Sequence, residues 1–329
     1  MKKFIIGIII ITVIMTISFI GCKTATDTTT SAETAASVEA EKATIAFMQH
    51  NYTDSFQYAI NQGAREAAEA LGYGYLQGVS DDDAAKELDL INNFSNQGAT
   101  LLILGSNTQE AANADVDLAH KLGMKVVTED NVFPESNAEC QVGGDDIAAG
   151  YLAGKALAEA INGEGKVAIN KFPMPVPPSE NRVIGIKQAF LEYPGIEIIA
   201  EDSPGYDTVK AMDWTAAMIQ SNPDIKGFIS IEDTSALGII RAIENAKLED
   251  SIKSTCVVES AAIYDELKNG KVIQAVVAMH SYNYGAISSF MLDRLFNGRP
   301  VPSKILTTGV MVTKDNVDEN LGYLEFIKK

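Results

Sequence analysis

Apolar runs recur along this chain at the length of a strand plus a helix. Strand-like segments begin near residues 45, 73, 101 and 126, and helical patterns fill the gaps. One covers 54–71, a second follows the N-cap chemistry of Ser80 and Asp81–Asp83, with Ala84, Ala85, Leu88 and Ile91 on one face, and a third covers 108–122. A strand that returns parallel to its predecessor needs a crossover, so this rhythm predicts a parallel sheet with helices on both faces. The rhythm restarts after residue 145. Helices at 146–161, 179–193, 207–220, 233–246 and 261–269 alternate with strands at 166–170, 197–200, 227–231, 255–258 and 272–278. A helix at 282–296 and a final strand at 305–312 close the chain. One sheet with so many strands exceeds the usual size, so two α/β domains are expected.

The first residues read as an address. Lys2 and Lys3 precede an apolar stretch at 4–20, and Phe19-Ile20-Gly21-Cys22 follows the pattern of a bacterial lipobox, although Phe19 stands where leucine is usual. The expectation is a signal peptide at 1–21 and an acylated Cys22. The alternative is an uncleaved anchor helix; either way the protein is tethered outside the cytoplasmic membrane. Residues 22–42 are rich in Thr, Ala, Ser and Glu, which bury too little apolar surface to offset their chain entropy, and are expected to form a flexible tether.

Composition removes whole classes of function. Lys plus Arg number 26 and Asp plus Glu 44, a net charge of −18 that repels nucleic acid. Three cysteines and three histidines show no metal-ligand spacing, so no metal or cofactor is expected. Cys140 and Cys256 lie in strand-like runs and read as buried thiols. There is no G-x-S-x-G, Walker loop or H-E-x-x-H, and no catalytic residue is assigned. An envelope enzyme using the adjacent acids Glu232 and Asp233 is the weakest reading, because neighbouring residues rarely flank one bond.

Ligands of open parallel sheets bind beyond the carboxyl ends of the strands. The residues there are Asn51, Tyr52, Asp54 and Phe56; Glu129, Asp130 and Asn131; Phe172, Glu180 and Arg182; Tyr206 and Asp207; Glu232 and Asp233; Glu259; and His280 and Asn283. Carboxylates and amides beside aromatic rings and one arginine suit a neutral polyhydroxylated ligand. Asp54, Asp207 and Asp233 also fit as helix N-caps.

Gly63-Ala64-Arg65-Glu66-Ala67, Val126-Val127-Thr128-Glu129-Asp130, Gly144-Asp145-Asp146, Asn181-Arg182-Val183-Ile184-Gly185, Asn222-Pro223-Asp224-Ile225-Lys226-Gly227 and Glu232-Asp233-Thr234-Ser235-Ala236-Leu237-Gly238 occur in this order. Over residues 43–329 the chain resembles the type I periplasmic binding proteins of the ribose/galactose-type sugar family, the solute-capturing parts of ABC importers. The resemblance implies two similar doubly wound, Rossmann-like lobes joined by a three-strand hinge: residues 43–144 with 280–308, and 145–279 with 309–329. It implies a binding protein and not an enzyme, a monomer that delivers a small carbohydrate to an ABC permease. Carried over by position, the ligand shell is Asp54, Phe56, Gln57, Asp130, Asn131, Arg182, Tyr206, Glu232, Glu259 and Met279, with Ser260 an alternative to Glu259. Against the family pattern Gln57 replaces an aromatic, Asn131 an arginine, Glu232 an asparagine and Met279 a glutamine. These changes leave more acid than base and keep an amino sugar or other cationic ligand open. Docking on a sensor kinase or chemoreceptor is the alternative output.

Overall fold

The computed structural model describes residues 43–51 and 55–326. The expected signal peptide, Cys22, the tether and Asp54 lie outside the described residues. In chain order the first elements are β1 (Thr44–Gln49), α1 (Ser55–Ala70), β2 (Gly74–Val79), α2 (Ala84–Asn96), β3 (Ala99–Leu104), α3 (Gln109–Lys121), β4 (Lys125–Asp130) and β5 (Cys140–Gly144). Then come α4 (Asp146–Ala160), β6 (Glu164–Asn170), α5 (Pro177–Phe190), β7 (Gly195–Asp202), α6 (Thr208–Ser221), β8 (Ile225–Ser230), α7 (Asp233–Asn245), β9 (Lys253–Val257), α8 (Ala261–Asn269) and β10 (Ile273–Ala278). The chain finishes with α9 (Tyr282–Phe296), β11 (Lys304–Thr307), β12 (Val310–Val312) and α10 (Val317–Phe326).

The strands form two six-stranded sheets, ordered β11-β5-β4-β3-β1-β2 and β12-β10-β9-β8-β6-β7. All pairings in the first sheet are parallel. In the second only β10 and β12 run antiparallel. Helices cover the strand faces, so the central strands are apolar on both sides: Leu101 to Leu104 and Val126 to Val127 in one sheet, Phe228 to Ile229 and Val276 to Val277 in the other, are almost wholly buried. The two-lobe α/β architecture expected from the alternating pattern is the one observed.

The run at 305–312 is not one strand. It divides at Thr308-Gly309 into β11, which joins the first sheet beside β5, and β12, which joins the second beside β10. A Cβ on Gly309 would stand 2.7 Å from Val277 Cγ1, so a side chain where the chain passes between sheets would have to displace that buried valine. The second sheet is also entered between β5 and α4 and left between β10 and α9. Asp145 caps α4, its side chain accepting from the Ala148 N–H.

Each lobe contains a pair of helices in backbone contact. In α1 and α9, a Cβ on Gly63 would fall on the Tyr282 carbonyl oxygen and one on Gly285 on the Ile60 oxygen. In α4 and α5, Gly150 meets the Arg182 oxygen and Gly185 the Ile147 oxygen in the same way. The α4–α5 contact fixes the first turns of α5, which carry Arg182.

Candidate binding cleft

A cavity of about 610 Å3 opens at the carboxyl ends of the strands, lined from both sheets. That volume lies within the range of small-molecule sites. From the first lobe come Phe56, Gln57, Asp130 and Asn131, and from the second Arg182, Tyr206 and Glu232. The structure therefore brings seven of the ten expected positions to one cavity. Asp54 lies outside the described residues.

Glu259 and Met279 are not in the lining. The buried Glu259 carboxylate accepts hydrogen bonds from the Met279 N–H at 2.7 Å and the His280 N–H at 2.8 Å, where the chain leaves β10 for α9. Met279 is buried beside Gly144 and Gly309, at the other two passages between sheets. Both residues lie where the chain passes between the two sheets. Ser260 is likewise outside the lining and caps α8, accepting from the Ile263 N–H.

Arg182 is the main fixed point of the second wall. Its Nε donates to Asp146 Oδ1 at 2.8 Å and its Nη1 to the Ile231 carbonyl at 2.8 Å, while Nη2 takes part in neither contact. Its Cζ lies 5.7 Å from the Phe172 ring centroid. Burial pushes the Asp146 carboxyl up against the downward pull of the guanidinium. The Phe172 and Tyr206 rings lie 5.0 Å apart at 42°, an apolar wall able to cover the CH face of a ring.

Glu232 caps α7. Its carboxylate accepts from the Thr234 and Ser235 N–H groups, each at 2.7 Å. The cap is therefore Glu232 and not Asp233, the residue the sequence suggested, because the Glu232 carboxylate reaches the Thr234 and Ser235 N–H groups. Burial raises Glu232 to about 7, which its hydrogen bonds offset only in part. Asp207 caps α6 as expected.

On the opposite wall, Gln57 Nε2 donates to Asp130 Oδ2 at 3.2 Å, and the buried Gln49 amide donates to both the Gln57 carbonyl and Oε1 at 2.7 Å. Asn131 Nδ2 donates to the Ser106 carbonyl at 2.9 Å. Asp130 has φ 62° and Val258, also in the lining, φ 76°. Aspartate tolerates that region, whereas a β-branched residue is held there against its preference.

The lining also includes Asp82 and Asn107, which follow β2 and β3. The rule that selected the other residues, position just beyond a strand's carboxyl end, reaches them too when applied to every strand. Among the described residues no group of three or more His, Cys, Asp or Glu side chains is arranged to hold a metal.

Residues 45–300 match the family model described as "Periplasmic binding protein domain". The chain belongs to the periplasmic binding protein family. It is similar to the ribose import binding protein RbsB of Haemophilus influenzae, 26% identical over 265 residues that cover 80% of this chain and 88% of that protein. It is similar also to the xylitol-binding protein of Mycolicibacterium smegmatis, 24% identical over 80% of this chain and 75% of that protein. Among solved structures, a periplasmic solute binding protein of an ABC transporter from Actinobacillus succinogenes, with bound D-allose, superposes with a TM-score of 0.78 at 27% identity, covering 84% of this chain and all of that one. These relatives are binding proteins, not enzymes. Membership of the periplasmic binding protein family implies an extracytoplasmic location.

Proposed function

We propose that this periplasmic binding protein captures a small carbohydrate or polyol between its two lobes and delivers it to the permease of an ABC importer. The observation that carries this reading is a cavity lined from both sheets, with an aromatic pair, Phe172 and Tyr206, beside Arg182 and Glu232 on one lobe and Asp130 and Asn131 on the other. Relatives named for ribose, D-apiose and xylitol, and a similar structure holding D-allose, support the ligand class. The ligand set is Phe56, Gln57, Asp130, Asn131, Arg182, Tyr206 and Glu232. Residues 43–144 with 280–308 form one lobe and 145–279 with 309–329 the other. Because the contacts come from both lobes, ligand favours the closed arrangement, and the permease reads that closed shape. Acylation at Cys22 anchors a monomer to the membrane, with residues 22–42 as its tether.

The test is mass spectrometry of small molecules that co-purify with the full chain, followed by a thermal-shift panel of pentoses, hexoses and polyols. A sugar or polyol that raises the melting temperature is the expected result. No response to any member would overturn the carbohydrate reading. Palmitate labelling that persists in Cys22→Ser would overturn the anchor.

A further inference from the structure

The charges around the cavity do not balance. Among the described residues that line it, the carboxylates are Asp82, Asp130, Glu232 and Asp233, against one permanent cation, Arg182, and the imidazole of His50. Arg182 is already engaged by Asp146, which stands behind it at 2.8 Å. That pair contributes no net charge. No lysine lines the cavity. Hydrogen bonds such as those from the Thr234 and Ser235 N–H groups to Glu232 orient a carboxylate and spread its charge without adding a full positive one. The N-terminus of α7 offsets roughly half a charge.

Open to water, such a surface is well solvated. Closing the lobes strips that water, and taking a carboxylate such as Glu232 further from water costs free energy that an opposite charge on the ligand offsets. A neutral sugar leaves this cost in place, whereas a ligand bearing an ammonium group meets it with charge-assisted hydrogen bonds. We propose that the physiological ligand is a cationic carbohydrate, an amino sugar or aminated polyol, and that Glu232 is the residue that selects its ammonium group. This rests on the reading of the cleft as a carbohydrate site.

Glu232 is suited to the role by position. It is 6% exposed, lines the cavity, and keeps acceptor capacity beyond its two backbone hydrogen bonds. It adjoins Ile231, whose carbonyl takes the Arg182 Nη1 hydrogen, so acid and guanidinium are set on one short stretch of backbone. The competing way to neutralise the cleft is uptake of a proton by Glu232, which would favour neutral sugars.

Calorimetry on the full chain in detergent separates the two. Glucosamine, galactosamine and mannosamine are titrated beside glucose, galactose and mannose at about pH 7.5, where Glu232, raised to about 7, is mostly ionised and much of each amine is still charged. At least one amino sugar is expected to bind about tenfold or more tightly than its neutral parent, and Glu232→Gln to lower that ratio about tenfold. Neutral parents binding as tightly as or more tightly than every amino counterpart would overturn the inference and leave the carbohydrate reading standing. No binding by either class would overturn both. The wild-type comparison decides the matter even where the variant folds poorly.

Discussion

Arg182 and Asp146 meet at 2.8 Å with side chains only 4% and 8% exposed, so a full ion pair lies buried directly behind the cleft wall. Breaking one side of such a pair strands a charge. Asp146→Ala should lower stability by about 3–5 kcal/mol, more than Asp146→Asn, which keeps an acceptor for Nε. Urea denaturation of the ligand-free variants measures this. A loss below 1 kcal/mol would mean that water already compensates Arg182.

Glu259 is expected to act on the hinge and not on the ligand. Glu259→Ala removes the acceptor of the buried Met279 N–H and of the part-buried His280 N–H, at about 1–3 kcal/mol for the buried one. The variant should melt earlier with or without ligand, and the ligand-induced rise in melting temperature should persist. Loss of that rise with unchanged ligand-free stability would return Glu259 to the ligand shell.

Burial also raises Glu259 to about 7, from an ordinary 4.5. The folded state therefore holds its proton more tightly than the unfolded chain. The stability this group contributes is complete below about pH 4.5 and is lost as pH rises towards 7, by up to about 1.4 kcal/mol per unit. Urea midpoints for wild type against Glu259→Gln should diverge with that sign through the window and run parallel above it. Divergence in the opposite sense would show that the two backbone hydrogen bonds outweigh burial.

The glycine contacts between helices predict losses in both lobes. Gly285→Ala in α9 and Gly150→Ala in α4 each place a methyl group on a backbone carbonyl that a rotamer change cannot move aside. Each should cost about 1–3 kcal/mol or more and broaden or lower the thermal transition. Unchanged melting would mean that the helices separate freely.

Tyr206→Ala should do the reverse of Asp146→Ala. Tyr206 is 51% exposed and its ring rests on Phe172, so its removal should change ligand-free stability by less than about 1 kcal/mol. Affinity for the sugar that leads the thermal-shift panel should fall several-fold, by about 0.5–1.5 kcal/mol or more. Calorimetry that finds no change would remove Tyr206 from the binding surface.

Much of the fold was legible because buried parallel strands are continuous apolar runs and their helices carry short polar caps. Thr100 to Leu104 and Gly227 to Ile231 announce themselves in that way. β5 was signalled only by the strand-like run at Cys140 and had no bounds in the sequence, since Cys140-Gln141-Val142-Gly143-Gly144 is short and ends in two glycines that pack against neighbouring groups. α10 lacked a strong apolar stripe. The split of 305–312 into two strands depends on pairing partners far away in the chain.

For the cleft, position after a strand located Asp130, Arg182, Tyr206 and Glu232. It could not say which way a carboxylate turns. Glu259 follows β9 as Glu232 follows β8, yet one faces hinge N–H groups and the other lines the cavity. Orientation there depends on β10 and α9, which lie beyond any local window.

The interleaving of the two sheets along the chain bears on how this protein is assembled. β11 pairs with β5, and Ser289 in α9 donates to the Ala64 carbonyl 225 residues earlier in sequence. The first lobe thus lacks an outer strand and a helix until nearly the whole polypeptide is available, and the second lacks its outer strand β12 until later still. Until α9 is made, the first lobe waits with an unsheltered Gly- and Ala-lined groove on α1, so neither half is expected to mature before the last segment of the polypeptide returns through both.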